Sequence, residues 1–490
     1  MNRLKTYIFL TVAIVLTGCD PELESINYDE INPSIFPSSE ADVESLVIAA
    51  YHPLRGAWSD GIHTTSENGL MFVLDATTEI LQGNYAVQQE ATLHRYNPTT
   101  TGVTRFYDTF YNKISAMTLS IDRIANSDVN ENIKEQGIAE IRCARGLLAY
   151  ELFDMYGPLV IAPLEILQNP LEEAPLARLS HEEMVSFIET DLLAAIEGLP
   201  TPEEATYGRF SQGLARMILI RLYLHEKRWG DVLTQANAIL DMGYYELEDD
   251  YVGLWDVEAP VDSREVIWAI PADYAGTSEN QWQLMVLPSN FPERGGWGTI
   301  QSSWKFYDSF EEGDIRRTNL IAEYTGTDGV TYNRENPANY MQLGPLPLKI
   351  AADADRSTGL TTVDIIQYRF ADVLLSKAEA LANMNGGGTQ EAIDLVNIVR
   401  ERAQIPPLEL TGHTDIDSFN TMILLERSHE YWCENGQYRS DLIRHGKYVE
   451  YANDLNGVSS ESAPYKVLFP FSLERISEGK GAFLQNPGYN

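Results

Sequence analysis

Along much of the chain, apolar residues recur at the three- and four-residue steps of an amphipathic helix. The clearest stretch is 364–403. Ile366, Phe370, Val373, Leu374, Leu381 and Met384 share one helical side there. Ala371, Ala378, Ala380 and Ala382 lie between them and let a second helix approach closely. Asn385-Gly386-Gly387-Gly388 predicts a stop, because glycine takes the positive φ of a helix C-cap. Thr389 is then placed to cap a second helix with Ala392, Leu395, Val396, Val399 and Ala403 along its stripe. The resulting hairpin cannot bury its apolar face alone and has to stack on others.

The same periodicity predicts helices over 41–54, 106–125, 136–156, 181–197, 211–226, 230–241 and 417–445. Hairpins near 106–156, 182–226, 214–241 and 364–403 overlap in their helices and read as about four tetratricopeptide-like units, each of roughly 34 residues. A short strand is predicted at 265–270. Two long segments, 55–105 and 271–300, lack a sustained period and are rich in glycine, asparagine and aromatics. Irregular segments of that length in a compact protein tend to carry function. The predicted fold class is therefore mostly α, built of helical hairpins that carry large irregular loops. Trp229, Trp255, Trp268, Trp304 and Trp432 fall near helix or strand patterns and are expected in the core.

Residues 1–18 read as a signal peptide, with Arg3 and Lys5 ahead of an apolar run too short to span a bilayer. Leu16-Thr17-Gly18-Cys19 looks like a bacterial lipobox, which predicts lipidation of Cys19 after cleavage. Several acyl chains on one residue anchor stably where one would not. An acidic, proline-bearing tether is expected over 19–40. An N-terminal region (41–263) with three hairpin units and one binding loop should follow, then a C-terminal region (264–490) with the fourth hairpin and a second loop.

Charge narrows the partners. The chain has 490 residues, 72 of them acidic against 35 basic, for a net charge of −37. Such a field repels nucleic acid and anionic membrane surfaces. Cys143 and Cys433 sit in helical patterns and read as buried thiols, with a disulfide between them the alternative in an oxidising compartment.

Catalytic motifs are incomplete. His181-Glu182-Glu183-Met184-Val185 begins like a zincin motif but has valine where the second histidine belongs. Glu426 and Glu430 have the spacing of helix salt-bridge partners rather than of a demonstrated glycosidase pair. Asp353, Asp355, Ser357 and Asp364 are laid out like an EF-hand loop, but Thr358 replaces the required glycine. A solvated loop is expected there, with a calcium ion near Asp353 and Asp355 the alternative. No cofactor is expected.

Several segments together resemble the SusD/RagB family of outer-membrane lipoproteins. Tyr368-Arg369-Phe370-Ala371-Asp372-Val373-Leu374-Leu375 with Ala378-Glu379-Ala380 is similar to one family segment, and 396–403 to another. Glu426-Arg427, Glu430, Glu434-Asn435-Gly436-Gln437, Asp441-Leu442 and Arg444 resemble a third. Leu468-Phe469-Pro470 and Gln485-Asn486-Pro487-Gly488-Tyr489 resemble the closing ones. The resemblance implies a SusD-like fold of four tetratricopeptide-like units and a non-enzymatic, surface-facing outer-membrane lipoprotein held by lipid on Cys19. Such a protein captures polysaccharide or oligosaccharide and passes it, as a hinged lid, to a SusC-like TonB-dependent transporter. A peptide- or other nutrient-binding relative is the second reading, and a lipid-anchored glycoside hydrolase the third.

Sugar rings present C–H faces, on which tryptophan and tyrosine stack, edged by hydroxyls that asparagine and arginine bond. The two irregular segments offer these side chains. Trp58, Asn84, Tyr85, Arg95 and Tyr96 in one, and Trp282, Arg294 and Trp297 in the other, are the candidate glycan-binding residues. For an anionic glycan, Arg95 and Arg294 would supply the local positive charge.

Overall fold

Short polar side chains fix where the helices begin. In the computed structural model, which describes residues 36–489 apart from 57–60, 170–174, 258, 274–277, 293, 338, 351–359 and 454–459, Ser39 and Asp42 form a capping box at α1 (Glu40–Tyr51). Among the described residues the further helices of eight residues or more are α2 (Thr101–Ala125), α3 (Glu131–Tyr156), α4 (His181–Gly198), α5 (Gln212–His225) and α6 (Trp229–Leu240) in the N-terminal half. They continue with α7 (Phe370–Asn385), α8 (Gln390–Arg402), α9 (Ile416–Tyr431) and α10 (Gln437–Arg444). Ser180 and Glu183 box the start of α4, and Thr389 accepts the Ala392 amide at 3.1 Å to start α8 as its sequence predicts. Gly386, at φ 74°, closes α7 in the left-handed region.

Each helix from α2 to α7 packs against the next, α1 covers α3, and α9 covers α7. The stack of hairpins expected from the periodicity is the observed, mostly α architecture. Ala378, Ala380 and Ala382 are fully buried where neighbouring helices approach α7. A hydrophobic core runs from Val43 to Tyr489. The C-terminal segment clasps the end of α3: the Phe469 amide donates to the Met155 carbonyl at 2.7 Å, and Asn486 Nδ2 to the Tyr156 carbonyl at 3.0 Å. Cys143 and Cys433 are both buried free thiols.

Strands of three or more residues are β1 (Leu81–Gly83), β2 (Val266–Ile270), β3 (Ile300–Ser302) and β4 (Ile365–Arg369), paired antiparallel as β1–β3 and β2–β4. Three expectations are corrected here. Residues 365–369 are strand, not the first turn of α7: paired β-branched residues satisfy their main chain against β2, with Ile270 opposite Ile365. The predicted single helix 417–445 is two, because Cys433, Asn435 and Gly436 all take positive φ (56°, 55° and 63°). Met384 is also solvent-exposed rather than part of the α7 stripe.

The 432–436 break delivers Glu434 into a buried ionic cluster. Arg369 donates to Glu265 at 2.8 Å and to Glu434 at 2.7 Å, and also to Glu430. Glu430 further receives Arg402 and, at 3.1 Å, Arg316. Arg316 and Arg400 share Glu426, at 2.6 and 2.9 Å, and Lys349 pairs with Glu434. A second ladder links α5, α7, α9 and α10: Arg221–Asp372 (2.6 Å), Arg427–Asp372 (3.0 Å), Arg427–Asp441 (2.7 Å) and Arg444–Glu379 (2.8 Å).

Burial would raise the Glu430 carboxyl, but the Arg402, Arg369 and Arg316 guanidiniums outweigh it and hold the group well below the usual carboxylate range. Its folded-state pKa is thus lowered, so its contribution is complete above the ordinary carboxylate pKa. That contribution is lost as pH falls below the ordinary value towards the lowered one. Replacing it leaves buried arginines uncompensated. Glu430→Gln is expected to cost about 3–5 kcal/mol in urea unfolding at pH 7. The deficit relative to wild type should shrink as pH drops below about 4.

Candidate functional site

The two irregular segments meet along the β1–β3 ribbon. Gly83 stands opposite Ile300 in the register, and the pairing extends outward. The Asn84 amide donates to the Thr299 carbonyl and Asn84 Nδ2 to the Gly298 carbonyl, both at 2.9 Å. Gln88 Nε2 donates to Thr299 Oγ1 at 3.1 Å. Tyr85 follows Asn84 and Trp297 precedes Gly298, so these bonds bring the two aromatic positions to the same end of the ribbon. The Trp297 loop is closed from beneath by main-chain bonds: Trp297 N to Leu284 O (2.7 Å), Thr299 N to Met285 O (2.7 Å) and Gly296 N to Pro288 O (3.3 Å).

Backbone geometry explains the glycines on either side of the tryptophan. A Cβ at Gly296 would lie 2.7 Å from the Leu284 carbonyl oxygen, and Gly298 has φ 60°. An aromatic row buttresses the loop: Phe291 packs on Tyr324, Tyr324 stacks on Tyr332 and Tyr332 meets Tyr340 edge-on, with centroids 5.2, 5.2 and 5.7 Å apart. The rim therefore presents Tyr85, 59% exposed, and Trp297, 50% exposed, on backbone held by hydrogen bonds. Rings that stay half solvated on a rigid frame are suited to stack on a flat ligand face.

Burial divides the other candidates. Trp282 is fully buried and donates Nε1 to the Pro347 carbonyl at 2.8 Å, and Tyr96 is 2% exposed with its hydroxyl donating to the Lys466 carbonyl at 2.9 Å. Neither ring has a face to offer, so both leave the candidate site. Each buries its apolar body because a backbone carbonyl satisfies its polar tip. Arg294 is nearly buried and donates Nη1 to Gln283 Oε1 at 3.1 Å and to the Leu360 carbonyl at 3.2 Å. Arg95 is half exposed and pairs with Glu461 at 3.3 Å on the C-terminal segment. The two arginines thus do not form a basic cluster at the rim. Asn84 acts as a strut of the rim through Gly298. Trp58, Cys19, Asp353 and Asp355 lie outside the described residues.

Much of 55–105 is buried rather than looped out, because its hydroxyls bond its own backbone: Thr77 Oγ1 and Thr78 Oγ1 each donate 2.7 Å to the carbonyls of Leu74 and Asp75. The meeting of the two segments carried a sequence signal, the similar tripeptides Leu81-Gln82-Gly83 and Ile300-Gln301-Ser302, each apolar–glutamine–small. Trp229 and Trp304, expected in the core, are only half-buried.

The carboxylate pair weighed for hydrolysis and three strongly shifted titratable groups are buried. Glu426 and Glu430 belong to the ionic cluster. Burial lifts the Glu151 carboxyl to about 8 and depresses the neighbouring His63 imidazole, 3.2 Å away, to about 3, each shift favouring the uncharged form. Burial likewise lifts Asp75 to about 8 while it accepts the Cys433 amide at 2.8 Å. All three are at most 6% exposed. Among the described residues no three His, Cys, Asp or Glu side chains are grouped to hold a metal ion, and no helix is long and apolar enough to cross a membrane.

Comparison with known proteins matches residues 320–489 to the SusD family and residues 23–224 to a family described as starch-binding associating with outer membrane. A SusD-like protein, P2, of Formosa agariphila is 23% identical over 98% of this chain and 99% of its own length. Among solved structures, a SusD superfamily protein from Parabacteroides distasonis superposes with a TM-score of 0.76 at 19% identity, covering 92% of this chain and 99% of that one. Surface glycan-binding protein A from Bacteroides thetaiotaomicron, in complex with laminarihexaose, superposes with a TM-score of 0.73 at 19% identity, over 92% of this chain and all of that one.

The contrast between rim and core tryptophans is measurable. Trp282→Ala should lower unfolding stability by about 3–5 kcal/mol. Trp297→Ala should change it by less than about 1 kcal/mol. A thermal and urea denaturation series on the two variants checks both values.

Proposed function

Because the chain belongs to the SusD/RagB family, we propose that it is a non-enzymatic glycan-binding protein. On this reading it takes up polysaccharide or oligosaccharide at the Tyr85–Trp297 rim. The observation that carries it is the pair of exposed aromatic rings on two loops bonded to each other by main chain. Ring faces supply apolar contact for sugar C–H groups, and the polar rim leaves donors and acceptors for hydroxyls. The structural neighbour that carries laminarihexaose supports the ligand class.

Delivery to a SusC-like TonB-dependent transporter, with this chain as its lid, follows from the family alone. Attachment to the outer membrane through lipid on Cys19 rests on the lipobox and on the family description of outer-membrane association. The surface-facing orientation belongs to the same reading, as does the division into tether, N-terminal region and C-terminal region at 19–40, 41–263 and 264–490.

Isothermal titration with neutral, uronate and sulfated oligosaccharides tests the binding. A ligand found in that panel should bind Trp297→Ala at least roughly tenfold more weakly, with Tyr85→Ala affected in the same direction. Unchanged affinity in both variants would remove the rim from the account. Palmitate labelling of wild type but not of Cys19→Ser, with recovery of a β-barrel partner from outer membranes, tests anchoring and partnership.

A further inference from the structure

Apart from the Tyr85–Trp297 rim, three surface clefts run into one another. The first, about 730 Å³, is lined by Gln82, Trp304, Lys305, Asp308 and Arg334 among others. The second, about 300 Å³, shares Lys305 and Ser309 with it and adds Tyr451. The third, about 790 Å³, shares Tyr451 and Glu450 with the second and adds Trp229, Asn383, Asn420 and Thr421. Shared walls make them one trough, with the half-buried rings of Trp304, Tyr451 and Trp229 in its three sections.

Its chemistry differs from that of a helix–helix seam. Each aromatic is flanked by amide or hydroxyl side chains: Gln82 and Gln342 beside Trp304, Ser428 beside Tyr451, and Asn420 and Thr421 beside Trp229. Gln82 is 95% buried at one end, and its amide nitrogen has no partner among the described residues. That nitrogen is itself enclosed by protein, so Gln82 closes the end of the cleft rather than offering a donor to a ligand. Trp304 is held in place by Arg334, whose guanidinium lies 4.4 Å from the ring centroid and 2.7 Å from Asp308. Charge is nearly balanced, with Lys227, Lys305, Arg334, Arg444 and Lys447 facing Glu79, Asp308, Asp417 and Glu450. In a chain where acids outnumber bases 72 to 35, this is one surface that does not repel an anionic polymer.

We propose that this trough is a second carbohydrate-binding face, which takes an extended run of sugar rings from a polysaccharide. The proposal rests on the glycan-binding reading of the rim and extends it. β1 carries Gln82 into the trough, and Tyr85 stands on the rim three residues on. One long chain held at both places would gain affinity through effective concentration, whereas a short oligosaccharide would use the rim alone.

The test compares laminarin, alginate and carrageenan with hexasaccharides of each. Wild type, Trp297→Ala and the double variant Trp229→Ala/Trp304→Ala are measured by affinity electrophoresis and titration. The double variant should bind the recognised polysaccharide roughly tenfold more weakly while its hexasaccharide affinity stays unchanged, and Trp297→Ala should weaken both. Hydroxyl-radical footprinting of wild type should show Trp229 and Trp304 protected by the polymer, a reading that does not depend on how the variants fold. Wild-type binding of long chains by a folded double variant, or unprotected tryptophans in the polymer-bound wild type, overturns the trough alone. If wild type binds none of the six ligands, the reading of the rim fails with it. A double variant that keeps glycan affinity but loses a barrel partner assigns the trough to protein contact and overturns the proposal.

Discussion

Charges buried without water must meet their opposites, and that requirement ties this fold together. Glu430 lies in the last turn of α9 and receives arginines from three other places in the chain, Arg316, Arg369 and Arg402. Taking such groups out of water is expensive, so the arrangement persists only where every partner is present at once. Helix stacking supplies the area buried, but stacked helices can slide. The ionic cluster and the Arg221–Asp372–Arg427–Asp441 ladder set the register of α5, α7, α9 and α10. The charged residues of the family-like segments, from Arg369 to Arg444, are largely these buried partners, so those segments identify a scaffold and are silent on ligand.

The helical plan was readable because amphipathic periodicity and capping are local. Thr389 and Gly386 did at the ends of their helices what the types of these residues predict. The two misread places obey distant partners. Ile366 fits a helical stripe by spacing, yet β2 offers it a ladder from about a hundred residues away. The 432–436 break has one glycine and no proline to announce it, because the turn is imposed by Glu434 reaching Arg369 and Lys349.

The site was legible to the same degree. Glycines around Trp297 marked a backbone that keeps its ring outside, and Tyr85 lay in a segment with no helical period. Trp282 and Tyr96 carry equal aromatic character in the same two segments. Whether such a ring faces water depends on a carbonyl in contact, that of Pro347 or Lys466, which no local pattern records. The proposed trough was invisible for a similar reason: Trp229 and Trp304 fall near helical patterns that read as interior, yet each stands half-buried at the first position of its helix.

The struts beneath Trp297 are main-chain amides and carbonyls, from Leu284, Met285, Pro288 and Thr299. A scaffold braced in that way is indifferent to most of the side chains it displays. On the proposed reading, exchange of the ring at 297 or at 85 would alter what the rim takes up without loosening the platform. Chains that share this architecture at about one residue in five can therefore differ in the side chains they display while keeping the same chassis.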